Sequence, residues 1–522
     1  MKRVCMALLI LSAIAASLNA NFENDLPKLS AAQNFAQKED AIKELADKYK
    51  NDERLSLIFS QMLAGNLYKD ARDSLVYREN SHIIDILSGE KLDESEISKI
   101  TINNRLRTVL RAELVIVNLS SKDAKTRLNA AKELLPNIEE KDYALLYDLS
   151  AKESNKNVKA VLDEALNILN AKFKSGEEQK EAINTLADSL SPIALQTLSE
   201  LNEAENMPYK KEAAAAIKKI ENSKKFYSVL ETLYFGLSAG SILLLAAMGL
   251  AITFGVMKVI NMAHGELIML GAYTTYTIQQ IMPNLIEYSV IIAIPIAFLV
   301  SAAVGILIER LVLRHLYARP LEALLATFGI SLILQQLVRT IYSPLNKEVI
   351  TPKWMSGSFE INSLLSLTYN RFYIIIFTLI VFAFALFVMK KTSLGLKVRA
   401  VSQNRSMAQA MGVKTSFVDA LTFGIGAGVA GVAGVALSQL TNVGPNLGQS
   451  YIVDSFMVVV FGGVGNLWGT LIGAFTLGEI NKIIEPLSGA VLAKVIILVM
   501  VILFIQRHPR GLFPQKGRDA ED

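Results

Sequence analysis

The residues best equipped for chemistry sit together in one short stretch. Asn261-Met262-Ala263-His264-Gly265-Glu266 places an amide, an imidazole and a carboxylate between two long apolar runs. Such groups are expensive in lipid, so they must face water, a partner or the interior of a helix bundle. A metal pair or a proton relay is the sharpest chemistry these types suggest. One His and one Glu with no third ligand in sequence reach is too few for a metal centre. The expectation is therefore local hydrogen bonding that fixes a helix break. No nucleophile–base set accompanies the cluster, which argues against a membrane-anchored enzyme. No metal or other cofactor is expected.

Charge decides what positions this cluster. Between residues 21 and 225 roughly a third of positions are Asp, Glu, Lys or Arg; from 226 onward roughly a ninth are. A surface of some 300 residues cannot be solvated by so few charges, so lipid is the solvent there. Phe372–Met389, Ser289–Ile308 and Gly236–Met257 are the clearest spans. Further candidates lie near 265–282, 321–341, 416–438 and 489–506. The stretch 453–484 holds two pieces broken by Gly462, Gly463, Gly465 and Gly469, which brings the total to about nine. Gly424, Gly426, Gly428, Gly431 and Gly434 fall on one span. They fit close helix packing, or a path lined by small residues. Met257–Gly271 and Phe461–Gly473 are the two broken, Gly-rich segments, and irregular backbone at depth marks a cavity or protein-buried site.

Orientation follows from the leader and from basic loops. Lys2 and Arg3 precede an apolar stretch, Val4–Leu18, and Ser17-Leu18-Asn19-Ala20 closes it. Residues 1–20 read as a secretory signal, with an uncleaved anchor as the alternative because Leu18 fits a cleavage site poorly. Either places residue 225 outside. Arg310, Arg314 and Arg319, then Lys390, Lys391, Lys397, Arg399, Arg405 and Lys414, then Arg507, Arg510, Lys516 and Arg518, mark alternate loops as cytoplasmic. An outside start and an inside end require an odd number of crossings.

Residues 21–225 read as helical. Val158, Val161, Leu162, Ala165, Leu166 and Leu169 form one apolar stripe, and Pro136, Gly176, Pro192 and Pro208 fall between stripes. Period-2 alternation is nearly absent. A HEAT-like array and an irregular helical bundle both fit. The fold class is all-α: an exported helical domain, 21–225, then a polytopic membrane domain, 226–515, and a cytoplasmic tail, 516–522. The only cysteine, Cys5, excludes a disulfide framework. No basic patch with interleaved aromatics is present, and no nucleic-acid partner is expected.

Several motifs then occur in order. Val259-Ile260-Asn261-Met262-Ala263-His264-Gly265-Glu266, Arg319-Pro320-Leu321 with Ala326-Thr327-Phe328-Gly329-Ile330-Ser331, Ser393–Val401 running on through Asn404, Ala408 and Gly412, Phe461–Gly465, and Arg507–Phe513 resemble the branched-chain amino-acid type of ABC permease over about 230–515. The added N-terminal domain is similar to that of the family's urea branch. Gly65-Asn66-Leu67-Tyr68, Ile102–Arg107 and Arg127–Ala131 carry that second likeness.

The resemblance implies a permease subunit of an importer, for urea or, alternatively, for branched-chain amino acids or short-chain amides. It implies a second permease, two cytoplasmic ATPases and a periplasmic solute-binding protein as partners, with the bilayer as solvent. The chain contains no Gly-x-x-x-x-Gly-Lys-Ser/Thr loop, so hydrolysis is assigned to the partners. A stand-alone channel or secondary transporter is the competing class. Urea needs paired donors and acceptors, not net charge. The candidate path is Asn261, His264, Glu266, Thr327, Ser331, Gln335, Gly462 and Gly463. The loop 390–415 is expected to couple to an ATPase through Gly395, Arg399, Ala400, Asn404, Ala408 and Gly412, the two glycines supplying unusual backbone conformations.

Overall fold

The computed structural model describes residues 22–513 apart from positions 33, 51, 71–73, 80–81, 93–96, 205–206, 258, 318 and 363. The leader 1–20 and the tail 516–522 lie outside the described residues. The chain forms two compact units, Met1–Ser223 and Lys224–Asp522.

The first unit has two cores. One gathers Phe22, Ile42, Leu45, Leu55, Phe59 and Leu110; the other gathers Leu146, Leu162, Ile183, Leu198 and Ala213. Helix Lys156–Phe173 shows why the sequence folds this way. Val158, Leu162, Ala165 and Leu169 are buried along one stripe, and the Asn155 side chain accepts from the Asn157 and Val158 amides to start the helix. Helices in the second core pack on their chain neighbours.

The all-helical reading of this unit needs one correction. A five-stranded antiparallel sheet is present, in the order β4-β3-β2-β1-β5. Its strands are β1 (Leu67–Lys69), β2 (Leu75–Glu79), β3 (His82–Asp85), β4 (Lys91–Leu92) and β5 (Ser98–Lys99). Tyr68 lies opposite Val76, and Arg78 opposite Ile83. Strands of two to five residues are too short to display an alternation, which is why periodicity missed them.

In the second unit the helices are α1 (Lys210–Met257, which begins in the first unit), α2 (His264–Ile281), α3 (Ile286–Leu311), α4 (Pro320–Tyr342), α5 (Tyr369–Lys391), α6 (Ser393–Gln403), α7 (Arg405–Ala410), α8 (Thr415–Ser438), α9 (Gln449–Gly462), α10 (Leu467–Ser488) and α11 (Ala490–Arg507). A hairpin, β6 (Ser358–Asn362) and β7 (Leu365–Thr368), precedes α5. Six described helices, α1, α3, α4, α5, α8 and α11, are long and apolar enough to cross a membrane, and α9 is apolar but has only 14 residues. This is a polytopic α-helical membrane domain. Leu325 and Ile333 on α4, Ile380 and Phe384 on α5, and Val491 and Leu503 on α11 are exposed. So much outward apolar surface suits lipid.

Helix α8 is the hub, buried along nearly its whole length and packed on α2 and α3. Its glycines pack; they do not line a channel. A Cβ on Gly434 would come 1.9 Å from the Ile268 carbonyl oxygen of α2, and one on Gly431 would meet the Ala297 carbonyl of α3 at 2.6 Å. The break in 453–484 falls at Gly463 and Gly465, both with positive φ, and the Asn466 side chain then caps α10.

Candidate functional site

The polar cluster is assembled by two helices. The chain leaves helical geometry after Met257 and resumes at His264, so Asn261 sits in the connection and Glu266 in the first turn of α2. A carboxylate there also meets the positive end of the helix dipole. On α4, Ala323, Thr327, Ser331, Gln335 and Val338 form the buried stripe. Every four residues a side chain returns to the same face, and three of these five are polar.

The stripe meets the cluster directly. Ser331 Oγ donates to Glu266 Oε1 at 2.9 Å, and Gln335 Nε2 donates to the same oxygen at 2.7 Å. Thr327 Oγ1 accepts from the Met262 amide at 3.1 Å. Asn261 Oδ1 accepts from the Ala263 amide at 3.0 Å, which shapes the turn into α2. Asn261, Glu266, Ser331 and Gln335 are each at most 3 % exposed. Glu266 Oε2 and Asn261 Nδ2 are nevertheless left without a hydrogen-bond partner. Buried polar atoms are nearly always satisfied, so these two stand out.

The bonding is tertiary where local bonding was expected. Only Asn261 bonds within its own turn. Glu266 ties α2 to α4. His264 turns the other way: fully buried, its Nε2 donates to the Ala246 carbonyl of α1 at 2.9 Å. That bond fixes the tautomer and leaves Nδ1 as the bare nitrogen. His264 therefore pins α1 to α2 and does not join the Glu266 group.

Gly462 and Gly463 do not join it either. Gly462 packs on the Gly469 backbone, and Gly463 on the Phe513 and Arg510 carbonyls. The Leu512 and Phe513 amides donate to the Phe461 and Gly462 carbonyls. These glycines serve the junction of α9, α10 and the segment 510–513.

Sequence reasoning missed the outward continuation of the α2–α4 seam. Tyr273, two turns beyond Glu266, is buried with an unpaired hydroxyl. Its ring lies 4.8 Å from that of Tyr342, whose hydroxyl shares a 2.7 Å hydrogen bond with Thr277. Arg339 Nη2 donates to Asn446 Oδ1 at 2.8 Å near the same end. The i, i+7 spacing of Glu266 and Tyr273 on one helix was the available signal.

The seam lies wholly within a segment with known relatives. Residues 232–505 match the family model described as branched-chain amino acid transport system / permease component. This chain belongs to that family. The high-affinity branched-chain amino acid transport permease LivH of Salmonella typhimurium is 32 % identical over 305 residues, covering 56 % of this chain and 97 % of the relative. BraD of Pseudomonas aeruginosa is 29 % identical over 299 residues, 55 % of this chain and 96 % of its own. The probable LivH of Methanocaldococcus jannaschii is 28 % identical over 287 residues, 52 % and 88 %. No solved structure matches the chain. The chain is thus a multi-pass membrane permease component and not an enzyme; residues 1–231 lie outside the family match.

The residues assigned to coupling fall in α6, α7 and the turn after them, and each holds that loop together. The Arg399 guanidinium donates to the Met389 carbonyl, capping α5. Asn404 caps α7 by accepting from the Met407 amide. Ala408 is buried with Val398, Val401 and Val418, with Ala400 half-buried beside them. Gly412 has φ +84°, as a left-handed turn requires. Gly395 corrects the expectation: it is helical, and its need is space, because a Cβ would stand 2.1 Å from the Met389 carbonyl oxygen. The large apolar side chains this loop leaves exposed are Leu396, Met407 and Met411. Beside it, a cavity of about 210 Å³ is lined by Gly255, Lys390, Arg399, Asn466 and Trp468 among others.

Proposed function

We propose that this permease is one membrane subunit of an ATP-driven importer, that its solute is urea, and that solute passes along the α2–α4 seam. The observation that carries the reading is Glu266: a buried carboxylate with one oxygen accepting two hydrogen bonds from α4 and the other free. A free acceptor on Glu266, with the Asn261 amide and the Tyr273 hydroxyl also unpartnered on the same stretch of chain, suits a small neutral solute rich in N–H donors with one carbonyl. Along the described seam the one fixed cation is Arg339, already on Asn446, so the carboxylate of an amino acid lacks an obvious partner. The second reading, a branched-chain amino-acid permease, draws its support from the names of the relatives.

Two cytoplasmic ATPases and a second permease complete the assembly in this reading, with a periplasmic protein delivering solute. The loop carrying α6 and α7 faces the ATPases and offers Leu396, Met407 and Met411 for docking. Residues 21–225 lie outside the cytoplasm and supply a surface for protein contact, and the C-terminus lies inside. The test is uptake by the reconstituted assembly, with labelled urea and labelled leucine offered in parallel. ATP-dependent uptake of urea supports the proposal; uptake of leucine alone replaces it with the second reading.

A further inference from the structure

A second buried polar group lies where the α6–α7 loop returns to the membrane helices. Asp419, in the second turn of α8, has a side chain with no solvent exposure. Arg405, the first residue of α7, grips it: Nη2 pairs with Oδ2, and Nη1 reaches Oδ1 at 3.5 Å. The same guanidinium lies over the Tyr317 ring, 4.9 Å from its centroid. Tyr317 Oη donates to Glu309 Oε1 at 2.6 Å. Glu309, near the end of α3, is also fully buried, with Oε2 3.7 Å from Arg310 Nε. One arginine therefore joins α7 to α8 directly and to α3 through a tyrosine.

Packing does not demand this arrangement. Val398, Val401, Ala408 and Val418 already bury the loop in an apolar cluster. A buried ion pair adds little net stability over an apolar one, because desolvation offsets the attraction. What it adds is geometric: a planar fork on a carboxylate fixes both distance and direction. Arg405 also keeps two-fifths of its side chain exposed, so a protein docked on the loop can reach it. On the far side, α8 meets α2 at Gly434 and Ile268, within a turn of Glu266.

We propose that Arg405, clasping Asp419 and seated on Tyr317, is the positioning residue through which movement of the docked loop is passed to α8 and on to the α2–α4 seam. The proposal rests on the ATP-driven reading above. Arg399, by contrast, bonds to the end of α5 and not to α8.

The test uses the reconstituted complex and four quantities: amount of assembled complex, basal ATPase, solute-stimulated ATPase and uptake. The informative variant is the double substitution Arg405→Gln with Asp419→Asn, which removes the clasp without stranding a buried charge. The expected result is assembled complex and basal ATPase within about twofold of wild type, with stimulation and uptake down by tenfold or more. Arg405→Lys, a point charge without the fork, should retain an intermediate share. Wild-type stimulation and uptake in the double variant would overturn the proposal. So would a loss of uptake that merely follows an equal loss of assembled complex, since that marks a structural anchor. If the unaltered chain assembles with no ATPase at all, the importer reading fails instead, and the two failures are distinguishable.

Discussion

Substituting Glu266 separates a role in folding from a role in transport. Glu266→Gln keeps the size of the side chain and keeps an oxygen to accept from Ser331 and Gln335. It converts the free Oε2 from an acceptor into an amide donor. A solute N–H that bonded to the carboxylate loses a charge-assisted hydrogen bond, about 1.5–3 kcal/mol. At about 1.4 kcal/mol per decade, uptake at low solute concentration should fall about 10- to 100-fold. Glu266→Ala is a different perturbation. It strands two buried donors at about 1–3 kcal/mol each, together a large fraction of the net stability of a domain, about 5–15 kcal/mol. The alanine variant should therefore be scarce in the membrane, and the glutamine variant abundant but slow. Immunoblotting of membranes gives the first quantity and labelled uptake into proteoliposomes the second. Wild-type uptake by Glu266→Gln at equal abundance refutes the contact with solute. Wild-type abundance of Glu266→Ala refutes the account of the α2–α4 seam.

Three other outcomes follow from the same geometry. Gly434→Val puts a side chain where a Cβ already lies 1.9 Å from the Ile268 carbonyl oxygen; overpacking should cost about 1–3 kcal/mol or more and lower the yield of folded protein in detergent, whereas the same change at Gly329, which has nothing within 4 Å, should not. In the first unit, Arg127 holds the Glu153 carboxyl below its ordinary range through bonds of 2.7 and 2.9 Å. A lowered folded pKa contributes stability that is complete above the ordinary glutamate value of about 4.3 and is lost as pH falls below it. Melts of residues 21–225 followed by circular dichroism should show this acid limb. Arg127→Ala should flatten it and cost about 1–2 kcal/mol at neutral pH; an unchanged limb would contradict the assignment. A topology reporter fused after residue 225 should be active only outside the cytoplasm and one after residue 522 only inside, and equal sides would exclude an odd number of crossings.

The sequence made the helices legible because long apolar runs and a 3.6-residue stripe are strong signals. Phe372–Met389 lies wholly inside α5, and the Gly462–Gly469 break separates α9 from α10. Thr327, Ser331 and Gln335 stood out in sequence as hydrogen-bonding side chains on an apolar span, and their spacing of four explains why they share one buried face. What stayed hidden was anything decided by a partner far along the chain. His264 and Glu266 are two residues apart yet bond to different helices, 18 and more than 60 residues away. No local pattern carries that information. Tyr317, Asp419 and Glu309 were likewise invisible, since a lone acid near a span end reads as an interfacial residue until its cation is seen beside it. The small sheet was lost to brevity, and Gly395 was misread because sequence shows that a glycine is needed, not whether for torsion or for room.

The contacts of residues 510–513 bear on how the chain is made. Arg510, Leu512 and Phe513 close the turn between α9 and α10 by backbone contacts at Phe461, Gly462 and Gly463. That turn is synthesised some fifty residues before its clasp. Closure of the α9–α10 pair therefore depends on a segment made well after both helices. A chain cut just short of Gly511 keeps every described helix and leaves one junction open. Cellular proteases would meet such a product at that unsealed turn, so a cut just before Gly511 should lower steady-state amount although no described helix is lost.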